Sequence, residues 1–147
     1  MQSSNQNHIE AKVDQRLRTM RTLWFAIFAS LAMYFVLTVF AKVEERTSPH
    51  LSLALATAAA LLVLASFLIK QRYLSQSVEK QDMALVQVGY IVGLAVCEVA
   101  ALLGVLDHFL TGNRYYYLPI IAAALGDLFH FPQRRHVQDA AFKGQLF

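Results

Sequence analysis

The chain has 147 residues, 56% of them hydrophobic and 16% charged, with a formal net charge of +3. A soluble domain averages roughly 45–50% apolar and about 25% charged, so the balance points to a single membrane domain. The basic residues are scattered around apolar segments rather than gathered with aromatics, which argues against a nucleic-acid partner, and the lone Cys97 excludes an intramolecular disulfide and a cysteine metal cluster.

Residues 1–21 form a polar leader. Its first eight residues read as disordered, and Ile9 to Arg21 suits a short surface helix. Four apolar segments follow, at about 23–41, 51–69, 84–110 and 115–131, and together they make a transmembrane domain over 22–132. The first two are uncharged over 19 residues each, enough to cross a hydrocarbon core of ~30 Å at about 1.5 Å per residue. The first is too long for a signal-peptide core and reads as a retained helix. Lys42 to His50 joins the first pair, with Pro49 marking a boundary. Thr111 to Arg114 joins the last pair through the turn residues Gly112 and Asn113. The charged middle connection, Lys70 to Met83, extends the helices on either side of it. Residues 133–147 form a basic tail.

The expected fold is an all-α membrane protein of four transmembrane helices in two hairpins, without an internal repeat. The leader, the middle connection and the tail hold ten Lys and Arg: Lys12, Arg16, Arg18, Arg21, Lys70, Arg72, Lys80, Arg134, Arg135 and Lys143. The opposite side holds three, Lys42, Arg46 and Arg114. Both termini are therefore expected in the cytoplasm, and the location expected is a bacterial inner membrane. Trp24, Tyr73 and Tyr115-Tyr116-Tyr117 fall at the predicted interfaces, whereas Tyr34 lies inside the first segment and packs against a neighbour.

The third segment carries Glu98 near its centre, in YIVGLAVCEVAALLGVL, residues 90–106. An acid at the bilayer midplane costs roughly 2.5–3.5 kcal/mol. Glu98 is expected to be neutral or hydrogen-bonded to a partner helix. Gly89, Gly93, Cys97 and Ala101 recur every fourth residue, and Gly104 broadens this small-residue stripe for close helix packing. Gln87 lies about three turns before Glu98 on the same face, where a subunit, a water thread or a helix of this chain would meet both.

The run VCEVAALLGVL, Val96 to Leu106, resembles the acid-bearing helix of rotary ATPase proteolipids, the c or K subunits. The resemblance implies that Glu98 is an ion-carrying carboxyl and Gly104 the glycine that follows it. The fourth segment has no matching acid at its centre. Asp127 and His130 share one face near its end and form a candidate relay, although pairing of Asp127 with Arg134 or Arg135 is the simpler expectation. Asp107 and His108 read as a solvated pair at the outer end of the third helix. His108 and His130 fall at opposite faces, so no metal site is expected; His136 is the one further histidine near Asp127 and His130.

No catalytic motif is present, so no enzyme activity is expected. The favoured function is an accessory or structural subunit of a larger membrane complex, associating through the Gly89 to Ala101 stripe. The alternatives are a proton- or ion-conducting homo-oligomer with Glu98 as carrier, and a dimeric exporter of small molecules. The expected partners are the bilayer and other membrane subunits or further copies of the chain. The cofactor is unknown, because a bundle can bind a lipid, quinone or pigment without a motif.

Overall fold

The computed structural model describes residues 2–44 and 48–142. Arg46 and Lys143, counted above for orientation, lie outside the described residues. The elements are α1 (Gln2–Phe40), α2 (Pro49–Lys80), α3 (Met83–Thr111), α4 (Tyr117–Phe129) and α5 (Arg134–Phe142). All are helical, and no strand occurs among the described residues. Three stretches, Ile9–Phe40, Pro49–Lys80 and Met83–Thr111, are long and apolar enough to cross a membrane, whereas Tyr117–Phe129 is apolar but shorter. The fold is thus an all-helical membrane protein with three candidate spans and one short apolar helix.

Local chemistry fixes the breaks. Pro49 opens α2 at a position where a missing N–H costs nothing. Between α2 and α3, Gln81 takes a left-handed conformation at φ 52°, and the Asp82 carboxylate caps α3 by accepting from Ala84 N at 2.7 Å. Gly112 ends α3 at φ 62°, with its N–H bonded to the His108 carbonyl. Pro132 follows α4 and separates it from α5.

The helices alternate in direction, and α3 is central. It packs along α2 and against α1 and α4, while α5 reaches α1, α2 and α3. The N-terminal half of α1, the α2–α3 turn and α5 gather at one end of the bundle, called here the termini end. The opposite end carries the α1–α2 and α3–α4 loops and is the loop end.

Two expectations for the leader are corrected. Helix begins at Gln2 rather than after residue 8, and α1 continues through Arg21 into the apolar segment without a boundary. The cause is tertiary packing. Val13, Leu17 and Met20 form one helical stripe and are buried with Val86, Tyr90, Val137 and Ala140. Removing a Leu or Met side chain from water contributes about 1.5–3 kcal/mol. The second core, Leu31, Ala59, Ala100, Ala101 and Ala123, lies at the level of the apolar segments. Lipid gives no hydrophobic drive there, so small side chains and close backbone contact hold it together.

Candidate functional site

The small-residue stripe is used inside the chain. A Cβ on Gly89 would stand 2.7 Å from Tyr73 Cβ of α2, and one on Gly104 would stand 2.8 Å from the Tyr116 carbonyl oxygen at the start of α4. Gly93 backs onto His130 and Lys70, and Gly126 of α4 backs onto Cys97 Sγ. Cys97 and Ala101 are fully buried. The expected role of Gly89, Gly93, Cys97, Ala101 and Gly104 as a surface for another subunit is therefore corrected. The stripe seats α2 and α4 on α3, because helix backbones approach most closely where side chains are smallest.

Glu98 faces α1. Its Oε1 accepts from Ser30 Oγ and from Tyr34 Oη, each at 2.9 Å. The midpoint of 23–41 is Ala32, between these two donors, so the Glu98 carboxyl sits in the middle of that apolar segment. Gln87 also faces α1, where its Oε1 accepts from Arg16 Nη1 at 3.4 Å. The two side chains share a face but are about 16 Å apart along α3, and the structure does not bring them together. Glu98→Gln keeps an acceptor for both hydroxyls and should leave unfolding stability within about 1 kcal/mol. Glu98→Leu strands the Tyr34 hydroxyl, while Ser30 keeps the Ile27 carbonyl at 2.7 Å, and should cost about 1–3 kcal/mol. Unfolding in detergent micelles measures both, and equal losses would refute the role of acceptor.

Asp127 lies two residues from the end of α4, whose centre at Ala123 carries no acid. Gly126 beside it contacts Cys97 Sγ, and the Asp127 carbonyl oxygen accepts from Trp24 near the start of the first apolar segment. Asp127 is 0% exposed, and neither carboxyl oxygen has a hydrogen-bond partner. The expected ion pair with Arg134 or Arg135 is absent. Arg134 instead reaches Asp14 of α1 at 3.3 Å, because the Pro132 break turns α5 away from α4. The sequence carried no signal for the loss of that partner.

His130 is one turn further toward the termini end and is also fully buried. Its Nδ1 is 2.7 Å from the Gly126 carbonyl. A carbonyl only accepts, so the hydrogen is on Nδ1 and Nε2 is a bare acceptor. Nε2 has no partner and points at Gly93, whose missing Cβ would lie 2.7 Å away. Phe67 packs on the imidazole at 4.8 Å between centroids. Lys70 Nζ donates to the Phe129 carbonyl at 3.1 Å and lies over the Tyr90 ring at 5.5 Å. Trp24, expected at a membrane interface, is buried against α4, where its indole N–H donates to the Asp127 carbonyl oxygen at 2.7 Å.

At the α4–α5 break, Tyr90 Oη accepts from the Gln133 backbone N–H at 3.3 Å and meets His136 Nδ1 at 2.6 Å. His136 therefore joins Tyr90 rather than Asp127 and His130. Burial first, and then the Arg135 and Lys70 charges, hold the His136 imidazole below its ordinary value of 6.5, while Asp139 opposes them. A folded-state value below the unfolded one means that the unfolded chain binds more protons in between. Stability is then complete above about 6.5 and falls as the pH drops toward the folded-state value. His136→Gln keeps an acceptor for the Tyr90 hydroxyl and should flatten that slope. Unfolding curves between pH 7 and 5 (a window of about two units around the ordinary histidine value) test it, and an unchanged slope in the variant would count against His136.

The loop end holds a third cluster. Asp107 and His108, expected to be solvated, are corrected to 1% and 8% exposed. Asp107 accepts from Ser52 Oγ, Thr111 Oγ1 and Asn113 Nδ2 at 2.7–2.9 Å. His108 Nε2 meets the Ala41 carbonyl at 3.1 Å, and its ring packs on Tyr116 at 4.2 Å. These donors satisfy the carboxylate and tie α2, α3 and the α3–α4 loop together. Among the described residues, no three His, Cys, Asp or Glu side chains converge as a metal site. No family model, no curated protein and no solved structure matches the chain.

Proposed function

We propose that the chain is a small, non-enzymatic integral membrane protein that binds and releases a proton at Asp127 within its own helix bundle. One observation carries this reading: a fully buried carboxyl on an apolar helix with no hydrogen-bond partner on either oxygen. An ionised carboxylate there has nothing to offset its desolvation. A proton is the smallest occupant that removes the charge, and a larger cation would need several more oxygen or nitrogen ligands than Asp127 and His130 supply. Intramembrane acids next to histidine are the usual components of proton relays. This reading transfers the carrier role expected of Glu98 to α4. The excess of Lys and Arg on the side of the termini supports an orientation with both termini in the cytoplasm, as in a bacterial inner membrane.

The test is proton uptake by the purified chain in weakly buffered detergent, followed with a pH indicator during a titration. Wild type should bind one more proton per chain than Asp127→Asn. Identical uptake curves would end the proposal.

A second reading, an accessory subunit of a larger membrane complex, is supported by an apolar groove between α1 and α4. Phe28, Leu31, Ala32, Phe35, Ile120 and Ala124 line it, and it encloses about 260 Å³. With the α3 stripe spent internally, this groove is where a partner helix would seat. Mild-detergent purification from the native membrane would reveal a larger assembly in fixed ratio, and Ala32→Trp would release it by filling the groove.

A further inference from the structure

We propose that the groove between α2 and α3 near the termini end binds one anionic phospholipid, with Arg72 on its phosphate. The inference is independent of the proton site at Asp127 and rests only on the reading of the chain as a membrane protein.

Ile69, Arg72, Tyr73 and Gln76 of α2 line the groove together with Val92 of α3, and it measures about 480 Å³. The four α2 residues are spaced three, one and three apart, so they form one helical face. Their order along the helix is also an order of polarity. Ile69 closes the uncharged run 51–69, and Arg72 and Gln76 stand in the first two turns beyond it. The groove therefore leads from the last apolar turn of a candidate span into its first polar turns. A phospholipid has the same order, from acyl chain to phosphate. Gly89 fixes one wall: a Cβ there would stand 2.7 Å from Tyr73 Cβ and 3.6 Å from the Lys70 carbonyl oxygen. The missing side chain lets the α3 backbone press against the base of Tyr73 and hold it in place.

The polar groups of the groove are not engaged within the bundle. Arg72 is exposed, and Tyr73 and Gln76 are half-buried. The one ion pair among the described residues joins Arg134 to Asp14. None of the Arg72, Tyr73 and Gln76 side chains takes part in a hydrogen bond among those residues. Lys70, by contrast, already donates to the Phe129 carbonyl. The first acid beyond Arg72 along α2 is Glu79, two turns and about 10 Å further on. A free guanidinium, a phenol and an amide thus share one groove. The guanidinium fork matches two oxygens of a phosphate, and the phenol and the amide are further donors for the ester oxygens. Ile69 and Val92 are left for the acyl chain.

The groove between α1 and α4 supplies the contrast. It is lined by apolar side chains alone and offers a headgroup nothing. The sign of the headgroup follows from the charges around Arg72. Lys70, Arg72 and Lys80 outnumber Glu79 and Asp82 in this part of the chain. A phosphatidylcholine would bring a quaternary ammonium next to them, whereas a phosphatidylglycerol brings only hydroxyls and its negative phosphate.

The experiment uses the full chain in phosphatidylcholine vesicles that contain a small fraction of photoactivatable phosphatidylglycerol or, in a parallel sample, of photoactivatable phosphatidylcholine. Labelled positions are mapped by mass spectrometry. Labelling of 69–76 and Val92 by phosphatidylglycerol should exceed that by phosphatidylcholine about fivefold. Arg72→Gln should abolish the preference, and Arg18→Gln, an exposed arginine on α1 away from the groove, should leave it intact. Equal labelling by the two lipids would mean ordinary boundary lipid and would overturn the site. So would a preference that survives in Arg72→Gln. If that variant lost helix content, Gln76→Leu would take its place, and an undiminished preference there would have the same meaning. Excess soluble glycerol phosphate should not compete. If it removed the preference, the groove would be a site for free phosphate esters and the lipid assignment would fall.

Discussion

Gly104→Val is expected to separate α4 from α3 and to lower stability by about 2–3 kcal/mol. A Cβ at this position would lie 2.8 Å from the Tyr116 carbonyl oxygen, 3.0 Å from Ile120 Cγ1 and 3.1 Å from Pro119 Cβ. The first is backbone and the last is a proline ring, so neither can swing aside. The only relief is movement of α4 as a body, which also loosens the packing of Gly126 on Cys97 and of His130 on Gly93. Gly93→Ala is milder for the fold, because its Cβ would meet a side chain, the His130 ring at 2.6 Å. Unfolding of purified protein in micelles ranks the two. Equal stability of Gly104→Val and wild type would mean that α4 is not seated on α3 as described.

Asp127→Asn is expected to keep or raise stability, by up to about 1–3 kcal/mol under conditions where the carboxyl would be ionised, while abolishing proton uptake. The change is nearly isosteric, so the contacts around Gly126 and Cys97 survive. Neither carboxyl oxygen has a hydrogen-bond partner within bonding geometry, so the fold loses at most a long contact with the Cys97 thiol. A structural carboxyl behaves in the opposite way. Asp107, with its three donors, supplies the control: Asp107→Asn puts an amide against donors and should destabilise. If Asp127→Asn lost as much stability as Asp107→Asn, Asp127 would be a packing residue and not a binding site.

Much of the fold is legible in the chain. Uncharged runs of 19 residues mark the first two spans, and Pro49, Gly112 and Pro132 mark three of the breaks. The extension of α2 and α3 beyond the apolar runs follows from the middle connection, which lacks any strong helix breaker. The leader is misread because polar composition suggests an independent segment. The spacing of Val13, Leu17, Met20 and Trp24, four, three and four residues, is a helical stripe in register with the apolar segment and could have joined the two. The stripe from Gly89 to Gly104 is legible as a packing face, but a sequence does not say whether the partner is in the same chain. Asp127 is the instructive miss. It sits near the end of its segment as counted from Tyr115, but its arginine partner is lost to Asp14 and the packing of Gly126 on Cys97 buries it. Asp107 and His108 are misread for the related reason that loop residues fold back over a helix end.

The brevity of α4 has a consequence for the lipid around it. Thirteen residues of helix make about 20 Å, roughly 10 Å less than an ordinary hydrocarbon core. Its neighbours on the perimeter, α1 and α2, are long enough to match the bilayer without help. An α4 that crosses the bilayer would confine the mismatch to one flank, and the leaflet next to Phe129 and Phe131 would thin to meet the α4–α5 break.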